Sequence, residues 1–159
     1  MNQKNFDMPI NEFRENGHKI IDWIADYLEH VEEKPVLAQI KPGDIKKELP
    51  TEAPLKGESI ENVMNDMDSI IMPGMTHWNH PNFMAYFNST ASGPAMLGDF
   101  LSSAFNINAM IWKTGPASTE LEETVLEWFK QMLKLPPKFF GLIYDLASVS
   151  SMHAIAAAR

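Results

Sequence analysis

The chain has 159 residues, enough for one domain with a core, and 45% hydrophobic against 21% charged residues marks it as globular rather than disordered. Its formal net charge is -8, from 21 acidic and 13 basic residues, and no stripe of Lys and Arg interleaved with aromatics occurs, so nucleic acid is not expected as a partner. Cysteine is absent, which excludes disulfides, thiolate metal sites and a cysteine nucleophile. No stretch approaches the roughly 18 apolar residues of a membrane span. Met1 to Asp7 is polar and lacks the apolar run of a secretory signal. A soluble, cytoplasmic protein that does not enter a membrane is expected.

The spacing of Phe13, Ile20, Ile21, Ile24, Tyr27, Leu28 and Val31 predicts a helix from about Asn11 to Glu33, with Asn11 as its cap. Trp23 adds apolar surface beside that stripe, more than a lone helix can hide. Pro35, Pro42, Pro50 and Pro54, with Gly43 and Gly57, predict an irregular connector from Lys34 to Gly57. Ile60, Val63, Met64, Met67, Ile70 and Ile71 share one face of a second helix, Ser59 to Ile71, which Pro73 and Gly74 stop. From His77 to Ser89 neither helical nor alternating order holds. Trp78, Phe83, Tyr86 and Phe87 stand there among Asn79, Pro81, Asn82 and Asn88, and loop aromatics of this kind either plug a core or line a pocket.

A third helix is predicted from Ser92 to Phe105, with Pro94 in its first turn, where a missing amide costs nothing. A fourth runs from Pro116 to Leu135 on a face of Leu121, Val125, Phe129, Met132 and Leu133, and Pro136-Pro137 ends it. Thr119 and Glu122 have capping-box spacing, but Pro116 argues for the earlier start. Gly141 to Tyr144 is a short apolar run that could form a strand. A last helix opening between Val149 and Ser151 is still running at Arg159 with no stop signal, so more polypeptide is expected beyond it.

The strongest local signal for chemistry is the passage from Gly141 to His153 through Asp145, Leu146, Ala147 and Ser148. Small residues at a helix start let an anion approach exposed amides, and the helix dipole favours negative charge there. Ser148 adds a hydroxyl. The alternative reading is a simple helix cap by Ser148. His77 and His80 are spaced as His-x-x-His, but no third ligand stands at a suitable spacing, so no metal is expected. His153 reads as a packed or exposed histidine rather than a base, and Lys113 as a solvated loop lysine. No Gly-x-Ser-x-Gly elbow, Walker loop or dinucleotide fingerprint occurs.

Several segments together are specific. Ile70-Ile71-Met72-Pro73-Gly74-Met75-Thr76-His77-Trp78, His80-Pro81, Ala85-Tyr86-Phe87 and Pro94-Ala95-Met96-Leu97 resemble the group II decarboxylases that use pyridoxal phosphate, above all the aromatic-L-amino-acid decarboxylases. Asn108-Ala109-Met110-Ile111-Trp112, Pro116 to Glu122, Trp128, the Met132-Leu133 to Leu135-Pro136 stretch, and Ala147-Ser148 to Arg159 fit the same family. The likeness runs from about Asn11 to the last residue.

This resemblance implies an α/β enzyme of fold type I, the aspartate-aminotransferase-like class of pyridoxal-phosphate-dependent transferases, acting as a homodimer. Residues 1–90 would form a helical dimer arm, and residues 91–159 the start of the large cofactor domain. It implies that the phosphate of pyridoxal 5'-phosphate rests at Ala147 and Ser148. It further implies that Trp78, Tyr86 and Phe87 wall the substrate pocket, and that Asn108 and Met110 reach the pocket of the neighbouring subunit. The expected reaction is decarboxylation of a small-molecule L-amino acid, aromatic by the likeness. The alternatives are another amino acid, an aldehyde-forming relative, or a non-catalytic dimerisation module.

Two departures stand out. Leu146 occupies a place where relatives carry a small or hydroxyl residue, and Asn108 and Met110 replace larger apolar residues of the animal aromatic enzymes. Decarboxylation leaves a carbanion that pyridoxal phosphate stabilises by drawing electrons into its ring. The family's cofactor-binding lysine, pyridinium carboxylate and stacking histidine are expected beyond Arg159, so no catalytic residue is assigned within this chain. His18-Lys19 and Asp145-Leu146-Ala147 look like the family's His-Lys and Asp-x-Ala motifs but sit elsewhere in the sequence.

Overall fold

The computed structural model describes residues 8–89 and 91–159, so the polar stretch Met1 to Asp7 and Thr90 lie outside the description. The chain divides into two compact units, Met1–Ala91 and Ser92–Arg159. The described residues are helices joined by turns and loops.

The first unit is built on helix α1, Ile10–Glu29. Its start is one residue earlier than the sequence predicts. Pro9 occupies the cap position, and the Phe13 amide bonds to the Pro9 carbonyl at 2.8 Å, so Asn11 lies inside the first turn rather than capping it. The helix also ends sooner, at Glu29, and the chain tightens into a 3-10 turn, Val31–Glu33, that buries Val31. Lys19, Trp23 and Tyr27 recur every four residues and so share one face. Lys19 pairs with Glu61, the Trp23 indole donates to Asp68 at 2.9 Å, and the Tyr27 hydroxyl meets His77 at 3.0 Å. That face is the seam between α1 and the second half of the unit.

The connector is less irregular than its prolines imply. It holds a short helix α2, Asp44–Glu48, which opens where Gly43 adopts φ 95° and where Asp44 accepts the Lys41 amide at 2.9 Å. Helix α3, Ile60–Asp66, is capped by the Ser59 hydroxyl, which accepts the Asn62 amide at 3.3 Å. It passes into a π-helical turn, Met67–Ile71, and a 3-10 turn, Met72–Gly74. Gly74 lies in a tight contact with the connector's side chains. A Cβ there would come within 2.9 Å of Ile45 Cδ1 and 3.3 Å of Ile40 Cδ1, the point where the connector closes on α3's extension.

The second unit opens with α4, Gly93–Phe105, with Pro94 in its first turn as predicted, and the Ser92 hydroxyl caps it by accepting the Ala95 amide. Asn106 ends it in the left-handed region at φ 47°, a conformation asparagine tolerates better than most residues. Helix α5, Pro116–Met132, starts at the proline, and Thr119 is internal, its hydroxyl donating to the Gly115 carbonyl at 3.0 Å. The Gly141 to Tyr144 run forms no strand. It lies along α5, with the Ile143 amide donating to the Glu122 carboxylate at 2.9 Å and Gly141 against Leu126. A strand needs a neighbouring strand for its ladder, and here a helix side chain takes that place. Helix α6, Ala147–Ala158, closes the unit.

Candidate functional site

The aromatic loop is anchored at its beginning. The His77 amide donates to the Val36 carbonyl at 3.0 Å, and His77 Nδ1 lies 3.0 Å from the Tyr27 hydroxyl. At 2% exposure His77 is buried, and burial, then the charge of Lys34 and the neighbouring His80 ring, hold its pKa below the ordinary value. Burial also raises the Tyr27 pKa. His80 is committed at both ring nitrogens. Nδ1 accepts the Asn82 amide at 2.9 Å, which leaves the proton on Nε2 to donate to the Glu32 carbonyl at 3.2 Å. The described residues contain no group of three or more His, Cys, Asp or Glu side chains placed to hold a metal ion.

Beyond these anchors the aromatic rings stack in order. Trp78 lies on Phe83 with ring centroids 4.7 Å apart and on Tyr86 at 5.6 Å, the latter pair inclined by only 6°. Phe83 is buried, whereas Tyr86 and Phe87 are 86% and 103% exposed. Within the loop Phe83 packs, and Tyr86 and Phe87 leave open faces. Tyr86 sits at φ 58°, a left-handed conformation that costs an L-residue about 1–2 kcal/mol. The loop is fastened at its far end by Asn88, whose Nδ2 donates to the Trp78 carbonyl at 2.9 Å.

In the second unit Asn108 and Met110 share the turn between α4 and α5. The Asn108 carboxamide oxygen accepts the Met110 amide at 2.9 Å, and the Met110 side chain is exposed. Gly115 fixes this turn from behind. It is buried, and a Cβ there would meet Ala109 Cα at 3.0 Å and the Asn108 carbonyl at 3.3 Å. Trp112 adds a bond from its indole to Glu120 at 2.9 Å.

Helix α6 begins at Ala147, earlier than the sequence predicts, so Ser148 stands within the first turn and is not its cap. Leu146 occupies the cap position, where an apolar side chain offers the helix no acceptor. The first intrahelical bond of the turn runs from the Ser150 amide to the Leu146 carbonyl at 3.1 Å. The amides of Ala147, Ser148 and Val149 precede it and have no acceptor within the helix. With the Ser148 hydroxyl they form a donor set at the positive end of the helix dipole, and the exposed Ala147 and Ser148 leave the approach clear. This chemistry fits a phosphoryl group. The Tyr144 ring against His153, 4.9 Å away, braces the segment leading into the turn.

The predicted residues thus form three places: Trp78 with Tyr86 and the neighbouring Phe87 in the first unit, Asn108 with Met110 in the second, and Ala147 with Ser148 at α6. An apolar hollow of about 520 Å³ between α5 and Leu135 to Gly141 contains none of them. Lys19 of the His18-Lys19 pair lies on α1, engaged with Glu61, and Lys113 lies in the turn before α5. Sequence reasoning did not single out Tyr27 or Asn88. Tyr27 meets a partner fifty residues away, for which the sequence carries no local signal.

Residues 42–159 match the family described as "Pyridoxal-dependent decarboxylase conserved domain". The chain is 42% identical over 158 residues to tryptophan decarboxylase 2 of Oryza sativa subsp. japonica, covering 96% of this chain and 32% of that protein. It is 47% identical over 128 residues to phenylacetaldehyde synthase of a Rosa hybrid cultivar, covering 80% of this chain and 25% of the relative. The crystal structure of Catharanthus roseus tryptophan decarboxylase in complex with L-tryptophan superposes with a TM-score of 0.90 at 41% identity, over 95% of this chain and 33% of that one. The chain therefore spans about a third or less of the length of these relatives. By family match, identity and fold, it belongs to the pyridoxal-dependent decarboxylases.

Proposed function

We propose that this chain is a segment of a pyridoxal-phosphate-dependent enzyme that decarboxylates an aromatic L-amino acid to its amine and carbon dioxide. The observation that carries the reading is the family match across residues 42–159, which spans both the aromatic loop and the α6 turn. In this reading the amides of Ala147, Ser148 and Val149 and the Ser148 hydroxyl hold the cofactor phosphate. When bound, the cofactor supplies an electron sink for the carbanion left by loss of carbon dioxide. Trp78, Tyr86 and Phe87 offer flat apolar faces that bind an aromatic side chain and exclude water from it. Asn108 and Met110 extend the wall of the second subunit's pocket. The lysine that binds the cofactor covalently belongs to other polypeptide, so these residues alone bind and orient but do not turn over substrate.

The reading includes a homodimer, supported by the uncovered apolar side chains of α1, Ile10, Phe13, Ile21 and Ile24, which a partner subunit would cover. The first unit then serves as a dimer arm and the second as the start of the cofactor domain. A cytoplasmic site of action accords with the absence of cysteine. Among the described residues no helix is long and apolar enough to cross a membrane.

A second reading, formation of an aldehyde on the same scaffold, draws on the likeness to the rose phenylacetaldehyde synthase. Carbon dioxide, amine and aldehyde release from a panel of aromatic amino acids, assayed on the full-length enzyme, separates the two. Pyridoxal phosphate binding is expected in the full-length enzyme and abolished by Ala147→Glu, which sets a carboxylate against the phosphate. Full-length enzyme with no affinity for the cofactor would overturn both readings.

A further inference from the structure

We propose that Asn88 is a positioning residue for substrate recognition, because its carboxamide ties the end of the aromatic loop to the Trp78 carbonyl and thereby holds Tyr86 parallel to Trp78. The inference rests on the reading of Trp78, Tyr86 and Phe87 as the substrate wall.

Three features of the loop converge on it. The loop begins in a fixed place, since His77 is tied to Val36 and Tyr27, and His80 to Glu32 and Asn82. After Phe83, which is buried, the chain has no comparable anchor. Met84, Tyr86 and Phe87 are almost wholly exposed, so burial does not restrain them. Yet Tyr86 is held in a left-handed conformation that an exposed aromatic residue would leave if it were free. What opposes that release is the stack on Trp78 and, two residues later, the 2.9 Å bond from Asn88 to the backbone of Trp78 itself.

The bond joins the two ends of the stack. It spans ten residues and fixes the Trp78 backbone relative to the strand of chain that carries Tyr86 and Phe87. Without it, Tyr86 can relax its backbone and turn its ring away, and the wall loses a flat face of defined orientation. The effect acts through Tyr86 and Trp78. Asn88 need not touch the substrate.

The test uses the full-length enzyme with Asn88→Asp, which keeps the shape but removes the donor and sets an anion beside a carbonyl, and Asn88→Gln, which keeps a donor on a longer arm. In fluorotryptophan-labelled protein, the fluorine resonance of Trp78, assigned through Trp78→Phe, reports the stack directly. Asn88→Asp is expected to move or broaden that resonance as Tyr86→Leu does, and to raise KM for an aromatic amino acid about three- to tenfold with kcat nearly unchanged, the range of one hydrogen bond. Asn88→Gln is expected to restore part of both. An Asn88→Asp resonance and KM that match the parent, while Tyr86→Leu shifts both, would overturn the role of Asn88 alone. If Tyr86→Leu leaves KM unchanged, the reading of the loop as a substrate wall fails instead, and the inference falls with it.

Discussion

Mild acidification tests the buried His77 more sharply than any deletion. Its folded-state pKa lies below the ordinary value of 6.5, first because burial disfavours the charged ring and then because of the Lys34 charge and the neighbouring His80 ring. The unfolded chain therefore binds that proton more readily than the folded one. The stabilisation is complete above about pH 6.5 and is lost as pH falls from there to the depressed folded-state value. Within that interval the slope approaches about 1.4 kcal/mol per pH unit for one proton. His30 acts with the opposite sign. Its pKa is raised, chiefly by its bond to the Asp26 carbonyl, so its contribution is present below about pH 6.5 and lost as pH rises. It is fully exposed, and moderate salt screens the neighbouring carboxylates that assist it. Asp44, Glu61 and Glu127 have lowered values and lose their contributions only at more acid pH. Urea unfolding between about pH 5.5 and about pH 7.5 then isolates the two histidines. The parent is expected to lose stability on acidification, His77→Gln to lose less, and His30→Gln to lose more. An unchanged slope in His77→Gln refutes the account of this buried ring.

Two glycines should respond in opposite directions to alanine. Gly115→Ala forces a Cβ against the Ala109 and Asn108 backbone and is expected to lower stability by about 1–3 kcal/mol, whereas Gly98→Ala, inside α4 with nothing within 4 Å, should raise it by about 0.5–1 kcal/mol. Equal effects in chemical denaturation would contradict the packing behind the Asn108 turn. Lys134 ends α5 at φ 54°, with the Leu135 amide bonded back to the Lys130 carbonyl at 3.0 Å, so Lys134→Gly should stabilise by about 1 kcal/mol; a loss would show that the lysine side chain has a role of its own. Sedimentation of the 159-residue chain should show self-association that strengthens with concentration, and a well-behaved monomer would refute that its bare apolar faces drive association.

What the sequence disclosed and what it hid follow from the range of the forces involved. Helices α3, α4 and α5 were legible because their signals are local: Ser59 and Ser92 cap the turns beside them, and Pro116 stands in the turn it opens. Asn11 has cap chemistry, yet the helix opens two residues earlier, where the Pro9 carbonyl takes the Phe13 amide. The connector helix α2 was hidden behind prolines that flank rather than interrupt it, Pro42 before and Pro50 after. The apolar run after Gly141 has strand composition, but strand formation depends on a partner that composition cannot report, and α5 supplies Glu122 instead. At the candidate site the residue types were legible and their arrangement was not. Nothing in the order of Trp78, Phe83, Tyr86 and Phe87 says which rings pack and which stay bare. The positive φ of Tyr86 and the bond from Asn88 exist only in the folded loop.

The distribution of apolar surface connects these separate places to a single physical demand. Val31 and Phe83 are the buried apolar residues among those described, while Leu55, Phe87, Met84 and Phe140 are largely or wholly exposed, and each helix of the second unit carries further bare aliphatic or aromatic side chains. Covering one such side chain stabilises by about 1.5–3 kcal/mol, and whole domains are held together by only about 5–15 kcal/mol. A handful of these side chains therefore carries as much free energy as an ordinary domain possesses. The local bonds of the two units, the caps, the Gly115 contact and the anchors of His77 and His80, define shape at short range without supplying that sum. Surfaces so exposed are stable when another surface covers them, and under the proposed function that covering would also shield the aromatic loop and the α6 turn from water. Folding and site formation then draw on one pool of apolar contact, so a variant that weakens association should weaken substrate and cofactor binding together even when it lies far from both.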